Sequence, residues 1–130
     1  MRPIRLFVVD DHVLFRRGLI GLLADMEEFE VVGEAGSGEE ALRALAKASP
    51  DIILLDLMFP RGITGYEVFD QIRANPEFDN VPIVAVSASE PSVAIPKTKA
   101  KGFAGFIAKP FDFDRFPMQI LAVLKHEPVW

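Results

Sequence analysis

Apolar residues recur along this chain in two alternating rhythms. Short runs rich in β-branched side chains at residues 4–9, 30–34, 52–55, 82–86 and 103–108 predict strands. The most uniform run, Ile52-Ile53-Leu54-Leu55, predicts a strand buried on both faces, with Asp56 emerging at its C-terminal mouth. Between the runs the period lengthens to that of a helix. Phe15, Leu19, Leu22, Leu23 and Met26 share one face of residues 13–26, and Ala41, Leu42, Leu45 and Ala46 share one face of residues 39–48. Ser37 is placed to cap the second of these, with Glu40 at the capping-box position, and Val68, Phe69 and Ile72 mark the buried stripe of a third.

The two remaining helices are shaped by proline. Phe113, Phe116, Ile120, Leu121 and Leu124 form the apolar face of the last, and Pro117 belongs in its first turn, which favours Asp114 over Asp112 as N-cap. Pro91 and Pro96 interrupt residues 87–102, and Ile95 before Pro96 is pushed away from helical geometry. The expectation there is a helix of about one to two turns starting near Pro96, or a loop followed by such a turn, with Lys97, Lys99 and Lys101 projecting to solvent.

Strand and helix thus alternate five times. Such alternation forces a parallel sheet with right-handed crossovers and helices on both faces, an α/β doubly wound fold. At 130 residues the chain has room for one domain, residues 1–130, built on one core. Composition adds exclusions. With 50% hydrophobic and 25% charged residues the chain is ordinary for a globular protein. No apolar run reaches the roughly 18 residues of a membrane span, and Met1-Arg2-Pro3 leads straight into a strand, so the expected compartment is the cytoplasm. The absence of cysteine removes disulfides, thiolate chemistry and Cys-based zinc sites, and His12 and His126 alone cannot build one. A net charge of -5 argues against direct nucleic-acid binding by this segment.

In an open α/β sheet ligands bind outside the C-terminal ends of the strands. Four separated features meet at that edge: Asp10-Asp11, Asp56, Ser87-Ala88 and Lys109-Pro110. Each has a plain structural reading: Asp11 as cap of the first helix, Asp56 as the start of a solvated loop, Lys109-Pro110 as a turn, Phe106 as a core aromatic. Their joint occurrence at four strand ends is the more demanding coincidence. Three carboxylates drawn together stay ionised only if a cation compensates, and an open oxygen-ligand site suits Mg²⁺. With Lys109 as a fixed positive charge and Ser87 as a donor, the set suits phosphoryl transfer onto Asp56.

With those residues in place, the whole chain resembles a response regulator receiver domain of two-component signalling. The resemblance implies a flavodoxin-like (βα)5 sheet in strand order 2-1-3-4-5, here with an atypical proline-interrupted fourth helix. It implies Asp56 as phosphoacceptor, Ser87 and Lys109 as its catalytic neighbours, and Ser87 and Phe106 as switch residues. It implies Mg²⁺ held by Asp11, Asp56 and the backbone carbonyl of Met58, with Asp10 acting through water. The stretches Val9-Asp10-Asp11-His12-Val13-Leu14-Phe15-Arg16-Arg17-Gly18-Leu19 and Val31-Val32-Gly33-Glu34-Ala35 are similar to receivers that precede a helix-turn-helix DNA-binding domain. No such domain lies within these 130 residues, so the expectation is either an excised receiver or a stand-alone regulator with contact to another protein as its output. Implied partners are a sensor histidine kinase or phosphotransfer protein, and downstream an effector protein or a second copy in a homodimer.

The chain departs from the family pattern in three respects. The segment Leu57-Met58-Phe59-Pro60-Arg61-Gly62-Ile63-Thr64-Gly65 is one residue longer than usual between the acceptor and its glycine, so the loop there is expected to differ in shape. Pro91 and Pro96 are expected to remodel the face of the fourth helix. Met58 and Ser89 occupy positions that in the family influence loss of the phosphoryl group, and Met58 offers nothing to position an attacking water, which predicts a long-lived phosphoform. The leading expectation is a phosphorylation-dependent switch that is not an enzyme and promotes only its own phosphorylation and dephosphorylation. The alternative is a receiver-like interaction module that works without phosphorylation. An aspartyl-phosphate phosphatase would want an acid at position 58, where Met58 stands, and a flavin protein a phosphate-binding loop after the first strand.

Overall fold

A computed structural model describes residues 2–60, 62–110 and 112–130. The start of the chain at Met1, and Arg61 in the lengthened loop, lie outside the described residues. Strands β1 (Ile4–Val9), β2 (Phe29–Ala35), β3 (Ile52–Leu55), β4 (Ile83–Ser87) and β5 (Gly105–Ala108) form one parallel sheet in the order β2-β1-β3-β4-β5. Among the described residues five α-helices connect or follow them: α1 (Val13–Ala24), α2 (Gly38–Leu45), α3 (Gly65–Arg73), α4 (Pro91–Lys101) and α5 (Phe116–Leu124). This is the doubly wound arrangement that the alternation predicts, in the flavodoxin-like strand order that the resemblance implies.

The period of two along each strand sorts the core into two layers. Phe7, Val9, Ile53, Leu55, Ile83, Ala85 and Phe106 face α2, α3 and α4, while Leu6, Val8, Ile52, Leu54, Val84, Val86 and Ile107 face α1 and α5. β3 lies at the centre with all four residues buried, because both layers claim its side chains. Burial of each contributes roughly 1.5–3 kcal/mol, which is why a four-residue strand suffices.

Three boundaries correct the sequence reading. α4 is a full helix of 11 residues with Pro96 inside it, where a short helix from Pro96 was expected. Pro91 sits at the start of the helix, where no N–H is needed, and Pro96 removes only the bond to the Ser92 carbonyl on the exposed face. The buried face is held by Ala94 and Thr98, whose hydroxyl donates to the Ala94 and Ile95 carbonyls at 2.9 and 3.1 Å, and Gly102 at φ 103 closes the helix. Ile95 is therefore helical despite preceding proline. Lys97 and Lys99 are exposed as expected, whereas Lys101 is half-buried and pairs with Asp70 at 2.8 Å.

At α5 the N-cap is Arg115, not Asp114, and Asp112 organises the entry: its carboxylate accepts from the Asp114 N–H at 2.8 Å and its carbonyl from the N–H groups of Arg115 and Phe116. Pro117 does fall in the first turn. The buried stripe is Phe116, Ile120 and Val123, while Phe113 and Leu121 are exposed. At α1 the N-cap is His12 with no side-chain cap, so Asp11 is not the cap, and Leu22 is exposed beside buried Leu19 and Leu23. Ser37 caps α2 through the Glu40 N–H at 3.2 Å, although the Glu40 carboxylate reaches Gly36 instead of closing a full box; Thr64 and Glu67 close one at α3.

Candidate functional site

The C-terminal ends of β1, β3, β4 and β5 bring Asp10, Asp11, Asp56, Ser87 and Lys109 to one edge, around a cavity of about 310 Å³. Its lining includes Asp11, His12, Asp56, Met58, Ser87 and Lys109. Asp10 is 2% and Asp56 3% exposed, so neither is the solvated loop residue that a plain reading allows. Both are ionisable groups held against a dry sheet, and one cation reaches both. The Lys109 ammonium donates to Asp10 at 2.5 Å and to Asp56 at 3.3 Å, and lies 4.3 Å from the centre of the Phe15 ring.

Backbone geometry fixes the Asp56 carboxylate. One oxygen accepts from the N–H groups of Leu57 and Met58 at 2.7 and 3.3 Å, and the other faces Lys109. Gly65, the first residue of α3, makes this possible. A Cβ there would lie 2.2 Å from the Asp56 carbonyl oxygen and 2.6 Å from Leu57 Cα, so the helix can approach the strand end only without a side chain. The lengthened loop thus still delivers a glycine against Asp56, and Glu39 of α2 anchors the loop by accepting from the Ile63 N–H at 3.1 Å. Burial raises the Asp56 carboxyl above its ordinary value of 3.8; Lys109 opposes that rise, Asp10 adds to it, and the Met58 N–H bond opposes it.

Asp11 lies beside this pair with one carboxylate oxygen buried and, among the described residues, without a hydrogen-bond partner. Asp10, Asp11, His12 and Asp56 each offer a ligand atom, all within 4.8 Å of one another. An orphaned buried carboxylate oxygen amid two further carboxylates is what a small hard cation would satisfy, so the residues fit Mg²⁺. Met58 enters the site through its N–H, while its side chain is 62% exposed at the mouth. The Ser87 side chain is buried, exchanges a hydrogen bond with the Ser89 hydroxyl at 2.8 Å and accepts from the Ser89 N–H at 3.1 Å. Phe106 is buried on β5, two residues before the strand's last residue and three before Lys109.

Two contributors escaped the sequence reading. His12 joins the carboxylate cluster and donates its N–H to Asp10 at 2.8 Å. Arg16 of α1, nearly buried, donates to the Asp10 carbonyl and pairs with Glu34 on β2 at 2.8 Å, tying the Asp10 backbone to two elements. Phe15 and Arg16 sit one helical turn after Asp11-His12, and that spacing was the available signal.

This fold and this edge belong to a known class. The response regulator receiver domain model matches residues 6–121, and the chain is a member of that family. It is 38% identical over 107 residues to response regulator GacA of Pseudomonas viridiflava, covering 82% of this chain and 48% of that protein. It is 31% identical over 122 residues to the nitrate/nitrite response regulator NarL of Escherichia coli K12, covering 94% and 53%. The chain therefore spans about half the length of these curated relatives. A LuxR-family two-component response regulator from an Aurantimonas species superposes with a TM-score of 0.87 at 28% identity, covering 98% of this chain and 89% of that one. Chemotaxis response regulator CheY4 of Vibrio cholerae superposes at 0.80 with 28% identity, covering 93% and 98%. Among the described residues no helix is long and apolar enough to cross a membrane.

Proposed function

We propose that this receiver domain is a phosphoacceptor switch in which Asp56 takes a phosphoryl group from a histidine kinase or phosphotransfer protein. The observation that carries the reading is the Asp56 carboxylate, buried at a strand mouth, oriented by two backbone N–H groups and faced by a lysine shared with Asp10. An oxygen of Asp56 attacks phosphorus as the bond from phosphorus to the donor's imidazole nitrogen breaks, leaving an acyl phosphate and a free imidazole. Lys109 moves its hydrogen bonds onto the incoming phosphoryl oxygens, and Ser87 gives up Ser89 to donate to one of them. Asp11 and Asp56, with the Met58 backbone carbonyl, would hold Mg²⁺ and Asp10 would assist through water; when bound the ion neutralises charge on the carboxylates and the transferring group.

Movement of Ser87 toward the phosphoryl group makes room for Phe106 to turn, and that coupling makes Ser87 and Phe106 the switch. The chain then acts on no substrate but its own Asp56. Met58 places no polar group at the mouth to align water, so the phosphoform is long-lived; hydrolysis within seconds would refute that part. As residues 1–130 it works as one domain, in the cytoplasm, signalling to an effector protein, to a second copy, or through a DNA-binding domain outside this chain.

The test is incubation with Mg²⁺ and a small acyl phosphate, followed by intact mass of the wild type and Asp56→Ala. One phosphoryl adduct in the wild type and none in the variant supports the switch. No adduct where a control receiver is labelled favours an interaction module that works without phosphorylation.

A further inference from the structure

Among the described residues one side of β5 has no strand neighbour, and the chain's own last residues bond to that side. After α5 the backbone reverses at His126, whose φ of 60 is in the left-handed region; its N–H donates to the Val123 carbonyl and that of Glu127 to the Ala122 carbonyl. Glycine is usual there, and histidine accepts strain, so contacts made further along must hold the turn. Three do. The Phe106 N–H donates to the Val129 carbonyl at 2.7 Å. The Val129 side chain is buried in the α1/α5 layer, over a gap left by Gly105, where a Cβ would meet the Val129 oxygen at 2.8 Å. The Lys99 ammonium of α4 lies 5.1 Å from the centre of the Trp130 ring.

Trp130 also closes a groove of about 350 Å³ with Pro91, Ile95, Phe106, Arg115 and Gln119. Among the described residues the buried Gln119 side-chain oxygen has no hydrogen-bond partner, so the segment does not satisfy this acceptor. The segment is thus seated on an edge strand through one backbone hydrogen bond, a side-chain slot and a ring contact, contacts of the kind an extended peptide makes on a sheet edge.

The same strand reaches the acidic site at its other end. The Lys109 N–H donates to the Ser87 carbonyl at 2.9 Å, and the Lys109 side chain spans Asp10 and Asp56. New acceptor oxygens on Asp56 would pull on Lys109 and Ser87 together, at the ends of β5 and β4. Phe106, three residues back, donates its N–H to the segment and lines two of the cavities that Trp130 also lines.

We propose that Glu127–Trp130 is a self-docked ligand of the β5 edge and the groove between α4 and α5, released when Asp56 is phosphorylated. This rests on the reading of Asp56 as phosphoacceptor. Release uncovers the Phe106 N–H and the Gly105 gap.

The chain holds one tryptophan, Trp130, so its emission reports the segment alone. Wild-type protein is treated with Mg²⁺ and acetyl phosphate while intact mass, Trp130 emission and amide hydrogen exchange are followed together. The phosphorylated chain is expected to exchange the Phe106 amide about tenfold or more faster, with Trp130 emission shifted to the red. Val129→Asp is expected to give both changes without phosphorylation. If Val129→Asp folds poorly, Trp130→Ala serves, with faster Phe106 exchange and unchanged exchange in β3. An adduct with the Phe106 amide and Trp130 emission unchanged overturns the release and leaves the acceptor reading standing. Absence of any adduct overturns the acceptor reading and the release with it.

Discussion

β3 and β5 are both four-residue strands, and each hands one charged residue to the same site: Asp56 follows β3 and Lys109 follows β5. Their settings are opposite. β3 is paired on both sides, by β1 and β4, and every side chain in it is buried. β5 is paired by β4 on one side and on the other is bonded to the turned-back segment through the Phe106 N–H. Asp56 is thus mounted on the most constrained strand, and the lysine that faces it on a strand with an outer side bonded only to the turned-back segment. The proposed switch needs that division, since under that reading the carboxylate must stay aligned while another element moves.

The largest effect should come from weakening the rigid strand. Leu54→Ala removes a fully buried side chain from β3 and is expected to lower the unfolding free energy by about 2–5 kcal/mol, measured by denaturant titration. A loss below about 1 kcal/mol would mean that β3 is not the fixed mount described.

A matched pair of glycine variants sharpens the contrast. In Gly65→Ala the new Cβ meets backbone at 2.2 Å beside Asp56, and a cost of about 1–3 kcal/mol with slower phosphorylation is expected. In Gly105→Ala the nearest atom, at 2.8 Å, belongs to Val129, and the segment can lift away. Its cost should be about 1 kcal/mol, with faster exchange at the Phe106 amide. Equal costs and an unchanged Phe106 amide would erase the difference between the two strands.

A third prediction concerns charge at the end of β3. Because the folded chain raises the Asp56 pKa above 3.8, the folded state holds that proton more tightly than the unfolded state. The stabilisation is complete below the ordinary value and is lost as pH rises through the raised one. In the presence of a chelator Asp56→Asn should therefore be more stable than wild type at pH 7, with the gap closing toward pH 4 in thermal melts. A gap that widens on acidification would contradict the sign. The smallest effect is expected for Lys99→Ala, about 0.5 kcal/mol, with a shift in Trp130 emission and no change in phosphorylation.

What the sequence disclosed follows the same line. The residues of β3 announce themselves because burial on both faces demands an unbroken apolar run, and Asp56 stands out only against that run. Asp10, Asp11, Ser87 and Lys109 were legible because topology alone carries strand ends to one edge. α4 was misread because proline rules describe an isolated chain; buried Ala94 and Thr98, with Gly102 at the end, outweigh one lost hydrogen bond on the exposed face. Asp11 looked like a cap because Asp is good at capping, yet its buried oxygen is kept without a hydrogen bond at the carboxylate cluster. The segment after α5 had no signal at all. Pro128, Val129 and Trp130 show no period, and their place depends on a gap at Gly105 more than twenty residues earlier.

The central claim is that Asp56 itself carries the phosphoryl group. Borohydride reduces an acyl phosphate on aspartate to homoserine, so reduction after treatment with Mg²⁺ and acetyl phosphate, then peptide sequencing by mass, reads the acceptor directly. Homoserine at position 56 and at no other carboxylate is the expected result. Homoserine at Asp10 or Asp11 with position 56 unchanged would contradict the account.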